Sequence, residues 1–334
     1  MSEQPTWCVM PILANREYTI TAIADLLVQS VRTRLLLINQ GVDDPFRDEL
    51  ERISEAYGER VLLWSHQPPL PSLAATWNRA LDFVWATGGT EALVVNNDVR
   101  LRVDTVEWLQ RIFHWEQALF VSAVGVTPEQ FDPAAELIFP EDLDADPPAL
   151  QKGGPDFSCF LISRECHYLA CAAYRFDEHF TPAFCEDLDY HRRLLLAGEG
   201  ARIFSVNLPY LHYGSSTRKT LDAPARMKLD RAIEQGSRSY YAKKWGGPVN
   251  QETFLQPFGG GFSEPAKVTD GTATTPYLQA HPPPDPLHGL MDDGLALTGG
   301  PDDGYRGVPR DPPIADLTRK LLSLTDVGIT PRRD

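Results

Sequence analysis

The chain has 334 residues and carries 46 acidic against 31 basic side chains, a formal charge of −15, with 43% hydrophobic and 10% aromatic residues. That length allows one large α/β domain with an appendage, or two domains, and the composition can fill a sizeable core. The acidic balance argues against nonspecific attachment to nucleic acid or anionic lipid, where a basic surface supplies most of the affinity. The cysteines, Cys8, Cys159, Cys166, Cys171 and Cys185, are odd in number and none sits at C-x-x-C spacing, so they read as reduced thiols of a cytoplasmic protein. The first residues lack the basic and apolar blocks of a secretory leader, and no apolar run approaches the roughly 18 residues of a transmembrane helix.

In chain order, residues 6–13 read as an apolar strand ending at Asn15-Arg16. Residues 17–31 repeat apolar side chains at helical spacing through Ile20, Ile23, Ala24, Leu27 and Val31. A second strand, 34–39, closes on the turn-rich run Asn39-Gln40-Gly41-Val42-Asp43-Asp44-Pro45, and a charged helix follows to about Gly58. A short strand at 61–65, an amphipathic helix over 72–86 carrying Asn78 and Trp85, and an apolar strand ending at Asn96-Asn97-Asp98 complete the first half. Alternating strands and helices with continuous apolar strands predict a mostly parallel sheet covered on both faces.

The middle of the chain predicts a helix at 105–115, a strand at 119–126, a proline-rich loop over 127–155, a strand at 157–163 and a helix at 164–173. A helix over 186–197, short strands at 201–206 and 210–212, and one long charged helix over 220–245 follow. Gly246-Gly247 and Pro248 form a stop signal for the last of these. Composition then shifts. Residues 247–334 hold 13 of the 28 prolines and 12 of the 24 glycines, which predicts an extended tail, with a short helix near Leu317–Leu324.

Three segments carry polar groups suited to chemistry. Asn96-Asn97-Asp98 ends a buried strand, and ligands of open α/β sheets bind beyond the carboxyl ends of the strands. Oxygen ligands of this kind suit a hard divalent cation. Phe184-Cys185-Glu186-Asp187-Leu188-Asp189 opens a helix with three acids, which stabilise the helix dipole whatever else they do. His212-Tyr213-Gly214-Ser215-Ser216-Thr217-Arg218 follows a strand with hydroxyls and a cation suited to phosphate oxygens. The loop Gly153-Gly154-Pro155-Asp156-Phe157-Ser158 reads either as a flexible wall of a site or as a plain connection.

Taken in order, these parts resemble a family 2 glycosyltransferase of the GT-A fold. The first strand ends in Pro11-Ile12-Leu13-Ala14-Asn15-Arg16. The second ends in an Asn/Asp-rich turn, 39–44, and a helix with a central Asn78 follows. Asn96-Asn97-Asp98 stands at the position of the family's metal-binding Asp-x-Asp. Phe176-Asp177-Glu178, Glu186-Asp187-Leu188-Asp189, and a His near Gly-Ser come later. The resemblance covers roughly residues 5–220. The sequence departs from it in having Asn39-Gln40 where a base-contacting Asp is common, and only one carboxylate in the metal triplet.

The resemblance implies an α/β, Rossmann-like, mostly parallel sheet sandwiched by helices. It implies a glycosyltransferase domain over 1–246, with a nucleotide-sugar half (1–104) and an acceptor half (105–246), followed by the 247–334 tail. It implies inverting, hexosyltransferase-type transfer from a nucleotide sugar, a UDP-sugar first and dTDP- or GDP-sugars as alternatives, to a hydroxyl of a glycan, lipid-linked sugar, protein or modified base. Asp187 would be the general base. Asp98 and His212 would hold Mn²⁺, favoured by the imidazole, or Mg²⁺. Pro11, Asn15, Asn39, Asp43, Asn78, Asn96, Asn97, Ser215, Ser216 and Arg218 would contact the donor. The tail would serve oligomers or partner docking. The competing readings are a non-catalytic scaffold with a degenerate site, and a nucleotidyltransferase, which would want a Gly-rich, basic first loop that Pro11 to Arg16 lacks.

Overall fold

A computed structural model describes residues 5–66, 68–133, 150–152, 155–168, 175–214 and 216–259. The elements in order are β1 (Thr6–Ile12), α1 (Arg16–Leu27), β2 (Thr33–Asn39), α2 (Asp44–Tyr57), β3 (Val61–Ser65), α3 (Leu73–Ala86), β4 (Glu91–Val95) and β5 (Val99–Arg100). Then come α4 (Thr105–Trp115), β6 (Phe120–Val126), β7 (Leu150–Lys152), β8 (Cys159–Ser163), α5 (Arg164–Tyr168), α6 (Glu186–Leu196) and β9 (Ile203–His212). The described chain ends with α7 (Ser216–Thr220), α8 (Ala223–Ile233) and α9 (Ser239–Trp245).

One sheet runs β3-β2-β1-β4-β8-β6-β9-β5, with β7 also paired to β9. The β3-β2-β1-β4 half is parallel throughout, and β8 enters antiparallel between β4 and β6. The reason is visible in the side chains. Successive residues of a strand face opposite sides. Cys8, Met10, Leu35, Leu37, Leu93 and Val95 enter one buried cluster, while Val9, Leu36, Ile38 and Val94 enter the other. A sheet apolar on both faces must be covered on both. The α/β sandwich is therefore the architecture the apolar strands demand.

Local signals set the element ends. Asp43 accepts the Phe46 amide at 3.2 Å and caps α2, and Ser72 accepts the Ala75 amide at 3.1 Å and caps α3. Gly246, at φ 75°, ends α9 in the left-handed region that glycine enters freely.

Three differences from the sequence reading have physical causes. The two strands expected at 201–206 and 210–212 are one strand, β9. Its Pro209 sits opposite Val124, where the register against β6 shifts, so an irregularity absorbs the missing amide. The single helix expected over 220–245 is broken after Thr220, restarts at an Asp222 cap, and passes through a π-helical turn at Glu234–Arg238. Gly236 makes that turn fit, because a Cβ there would lie 2.5 Å from the Thr181 carbonyl oxygen. Finally, 247–259, the start of the expected tail, folds back: the Phe254 amide donates to the Trp245 carbonyl at 2.9 Å, and Tyr241 donates to Glu252 at 2.6 Å. The helix expected over 164–173 is described only as far as Tyr168. The short helix near 317–324 and the rest of the tail lie outside the described residues. No helix among the described residues is long and apolar enough to cross a membrane.

Candidate active site

A cleft of about 770 Å³ opens at the carboxyl ends of β1, β4 and β9. β8 runs antiparallel to β4, so the loop entering it, 155–158, arrives at the same edge. The N-terminal turns of α3 and α6 close the far side, and Pro11, Asn96, Asn97, Asp98, Asp187, His212, Ser216 and Arg218 all line it.

The short strand β5 is what assembles the polar end. It pairs antiparallel with β9, Val99 opposite His212. That register places the Asp98 carboxylate 3.3 Å from the His212 imidazole. Ser216 donates to the other Asp98 oxygen at 2.6 Å, and Asn15 donates to Ser216 at 2.7 Å and to Thr217 at 3.0 Å. Burial alone would raise the Asp98 carboxyl, but the hydrogen bonds from His212 and Ser216 overcome it and hold it below the usual carboxylate range. Burial would lower the His212 imidazole, and Asp98 overcomes that, so it sits above its ordinary value. Asp98 is therefore an ionised acceptor at neutral pH. Arg218 reaches the rim but is already paired with Asp230 at 2.6 and 2.8 Å.

Asp187 faces the same cleft from the first turn of α6, half-buried, its carboxylate accepting the Leu188 amide at 2.8 Å. Burial pushes its carboxyl up, and the neighbouring Asp156 and Asp189 add to the shift. The turn that presents it is strained. Phe184 (φ 79°) and Cys185 (φ 71°) are consecutive non-glycine residues in the left-handed region, a cost of about 1–3 kcal/mol each. The Ser237 hydroxyl, on the π-helical turn, meets the carbonyls of Thr181 and Ala183 at 3.0 and 2.6 Å and braces the segment. Behind it, Lys244, buried to 0% exposure, joins Asp177 at 2.6 Å to Asp189 at 2.8 Å. Trp245 also donates to Asp189, at 3.0 Å, and Arg193 does so at 2.8 Å.

Several residues expected at the donor do other work. Asn39 is buried, and its carboxamide accepts the Gly41 and Val42 amides at 2.9 and 3.0 Å and donates to Ser65 at 3.2 Å, so it builds its own turn. Asp43 is an exposed helix cap away from the cleft. Asn78, on α3, is buried and holds the Phe176 amide and carbonyl at 3.0 and 2.8 Å, together with Glu178 at 2.9 Å. Asn15 is likewise a brace, at φ 67°, outside the cleft lining. Asn97 lines the cleft, yet its amide donates to the Ala14 carbonyl at 2.6 Å and to Thr19 at 2.8 Å, tying the loop after β1 to the loop after β4. Arg16 pairs with buried Glu49. Ser215 lies outside the described residues, as do Gly153 and Gly154.

The sequence reading passed over three residues that line the cleft. Gln40, one position beyond Asn39, is 7% exposed, and its Nε2 is a buried donor with no hydrogen-bond partner. Asp156 accepts the Ser158 and Gly125 amides at 2.9 and 3.2 Å. Glu186 is 3% exposed with its Oε2 unpartnered. Each adjoins a residue the reading had singled out or lies in a loop it had flagged. Only the backbone path tells which neighbour turns inward.

No family model matches the chain, and no curated protein matches it in sequence. Among solved structures it is similar to S. aureus TarS residues 1–349, at 10% identity and TM-score 0.47, covering 75% of this chain and 76% of that one. It is also similar to glucosyl-3-phosphoglycerate synthase from Mycobacterium tuberculosis, solved with Mg²⁺ and UDP. That match has 19% identity and TM-score 0.46 and covers 74% of this chain and 82% of that one.

Proposed function

We propose that the chain is a metal-dependent glycosyltransferase. It moves a sugar from a nucleoside-diphosphate donor, with UDP as the first candidate, to an acceptor hydroxyl with inversion. The observation that carries this reading is the convergence of Asp98, His212, Ser216 and Asp187, from four separate segments, on one cleft.

Among the described residues no three His, Cys, Asp or Glu side chains group as a metal site. The donor set fits a divalent ion all the same. Asp98 supplies an ionised oxygen and His212 an adjacent imidazole, and ions of this kind complete their shell with substrate phosphates. Asp98 and His212 would hold the ion, and when bound it supplies charge neutralisation for the departing diphosphate. Ser216 and Thr217 keep hydroxyls at that end of the cleft, and the Gln40 carboxamide offers a donor towards the nucleoside.

Asp187 takes the proton of the acceptor hydroxyl as the new C–O bond forms. A carboxyl raised by burial is a better base than a solvated one, and a positioned base contributes about 10²–10⁴-fold. The acceptor reaches Asp187 from the side away from the diphosphate. A second cavity of about 760 Å³, lined also by Phe184, Arg238 and Tyr241, shares Asp187 with the first and gives room for that approach.

The test is UDP binding and UDP-sugar hydrolysis with Mn²⁺ or Mg²⁺, with EDTA as control, on the wild type and on Asp187→Asn. The expected result is metal-dependent UDP binding in both proteins and turnover lost by at least about 100-fold in the variant. Normal turnover by the variant removes Asp187 as base. Absence of any metal-dependent nucleotide binding in the wild type removes the whole reading.

A further inference from the structure

Two buried polar groups on the α3–α6 side of the cleft have no hydrogen-bond partner in the protein. Glu186 is 3% exposed and its Oε2 contacts no donor or acceptor; Trp77 is 2% exposed and its indole N–H is likewise unmatched. Both residues line the 770 Å³ cleft. The neighbouring hydroxyls bond elsewhere: beside Trp77, Thr76 donates to the Ser72 carbonyl at 3.0 Å and Ser72 accepts the Ala75 amide at 3.1 Å, and beside Glu186, Tyr190 donates to the Cys166 carbonyl at 3.0 Å. Buried polar groups in folded proteins are nearly always paired, and an unpaired one costs about 1–3 kcal/mol. Two such groups bordering one cavity are accounted for when the ligand of that cavity supplies the missing partners.

The chemistry of the pair selects the ligand. An indole N–H only donates. Burial, with Asp187 and Asp189 nearby, pushes the Glu186 carboxyl well above the usual carboxylate range and so favours its neutral form, which donates as well as accepts. A negatively charged group is unsuited to this corner, where the Glu186 and Asp187 carboxyls already line the cleft. A neutral group bearing hydroxyls satisfies both.

We infer that Glu186 and Trp77 form a recognition corner for hydroxyl groups of the transferred sugar, set against the α3–α6 wall beside Asp187. This rests on the glycosyl-transfer reading, and it adds that the enzyme distinguishes donor sugars by their hydroxyl pattern through these two residues. Glu186 is a sugar-binding residue and Asp187 the base. The two acids of one helical turn differ because Glu186 is sealed and Asp187 is half open to the cleft.

The experiment compares UDP with UDP-glucose and UDP-N-acetylglucosamine, by calorimetric binding to the full chain with Mg²⁺, for wild type, Glu186→Gln, Glu186→Ala and Trp77→Phe. Thermal melts confirm that each variant is folded. UDP affinity should stay within about twofold in every variant. The extra affinity of the better UDP-sugar over UDP should fall about 10-fold in Glu186→Ala, the size of one lost hydrogen bond, and should be largely kept in Glu186→Gln. A second arm compares deoxy analogues of the preferred donor: in the wild type one position should lower affinity about 10-fold, and that drop should vanish in Glu186→Ala. An undiminished sugar preference in Glu186→Ala and Trp77→Phe, or deoxy donors that all bind alike, overturns the inference and leaves the glycosyl-transfer reading standing. Failure of the wild type to bind UDP at all overturns that reading and the inference with it.

Discussion

Replacing Lys244 by Met tests the framework behind the acidic turn. The ammonium is sealed from solvent and bridges Asp177 and Asp189 at 2.6 and 2.8 Å. Methionine matches its length but leaves two buried carboxyl groups short of a counter-charge. Breaking a buried pair in this way costs about 3–5 kcal/mol, because the remaining charge is neither hydrated nor paired. Tyr240 at 2.9 Å and His179 at 2.7 Å still serve Asp177, and Arg193 and Trp245 still serve Asp189, which keeps the loss at the lower end. A loss of about 3 kcal/mol is a fall of roughly 6–12 °C in Tm at the 2–4 °C per kcal/mol of a domain of 150–250 residues.

The pH dependence follows from the sign of one shift. Burial would raise the Asp177 carboxyl, but Lys244, His179 and Arg193 hold it well below the usual range. A group depressed in the folded state stabilises above its unfolded value of about 4, and that contribution is lost only as pH falls through the folded value. Without Lys244 the depression is largely gone. The gap between variant and wild type is therefore widest near pH 7 and narrows as acid protonates Asp177 in the variant. Urea unfolding at pH 7 and pH 4.5 reads both. A loss below about 1 kcal/mol at pH 7, or a gap that widens in acid, refutes the assignment of Lys244 as the counter-charge.

Other outcomes follow from single contacts. The Asp187 carboxyl is raised by burial and by Asp156, so kcat/KM should fall with acid along a limb centred above the ordinary aspartate value of about 4; a limb at or below that value contradicts its role as base. Asp43→Ala removes a helix cap and should cost about 1 kcal/mol in unfolding while UDP affinity stays unchanged; a tenfold loss of affinity would return Asp43 to the nucleoside. Gly236→Ala puts a methyl group 2.5 Å from the Thr181 carbonyl oxygen, so it should destabilise by about 1–3 kcal/mol and also lower turnover by shifting the turn that carries Asp187; melting and turnover both equal to wild type would show that the π-helical turn yields freely.

The first half of the fold was legible because its strands are continuous apolar runs with turn residues at each end, and periodicity reads such runs well. The convergence of Asp98 and His212 was legible through motif order. The sequence could not reveal its physical cause, a two-residue strand, Val99–Arg100, too short to leave a pattern. Polar residues near the cleft were the hardest to sort. Asn39, Asn78 and Asn97 are the residue types that bind ligands and also the types that bind backbone, and only coordinates show which bond each makes. Asn39 closes its turn, and the neighbouring Gln40, which left no signature of its own, takes the inward position. The π-helical turn at 234–238 was hidden for a similar reason: it is shaped by contact between Gly236 and a carbonyl 55 positions upstream, not by local propensity.

The Lys244 bridge also bears on where the polypeptide can be cut. The last strand of the sheet ends at His212, and a shortened version ending soon after it would still contain every side chain assigned to the diphosphate end except Ser216 and its neighbours. Such a version would leave Asp177 and Asp189 without the Lys244 counter-charge beneath the turn that aims Asp187, and would strip Ser237 from the strained backbone at Phe184. A shortened version therefore has to extend past Trp245, because the helices after the sheet supply the counter-ion for its acidic half.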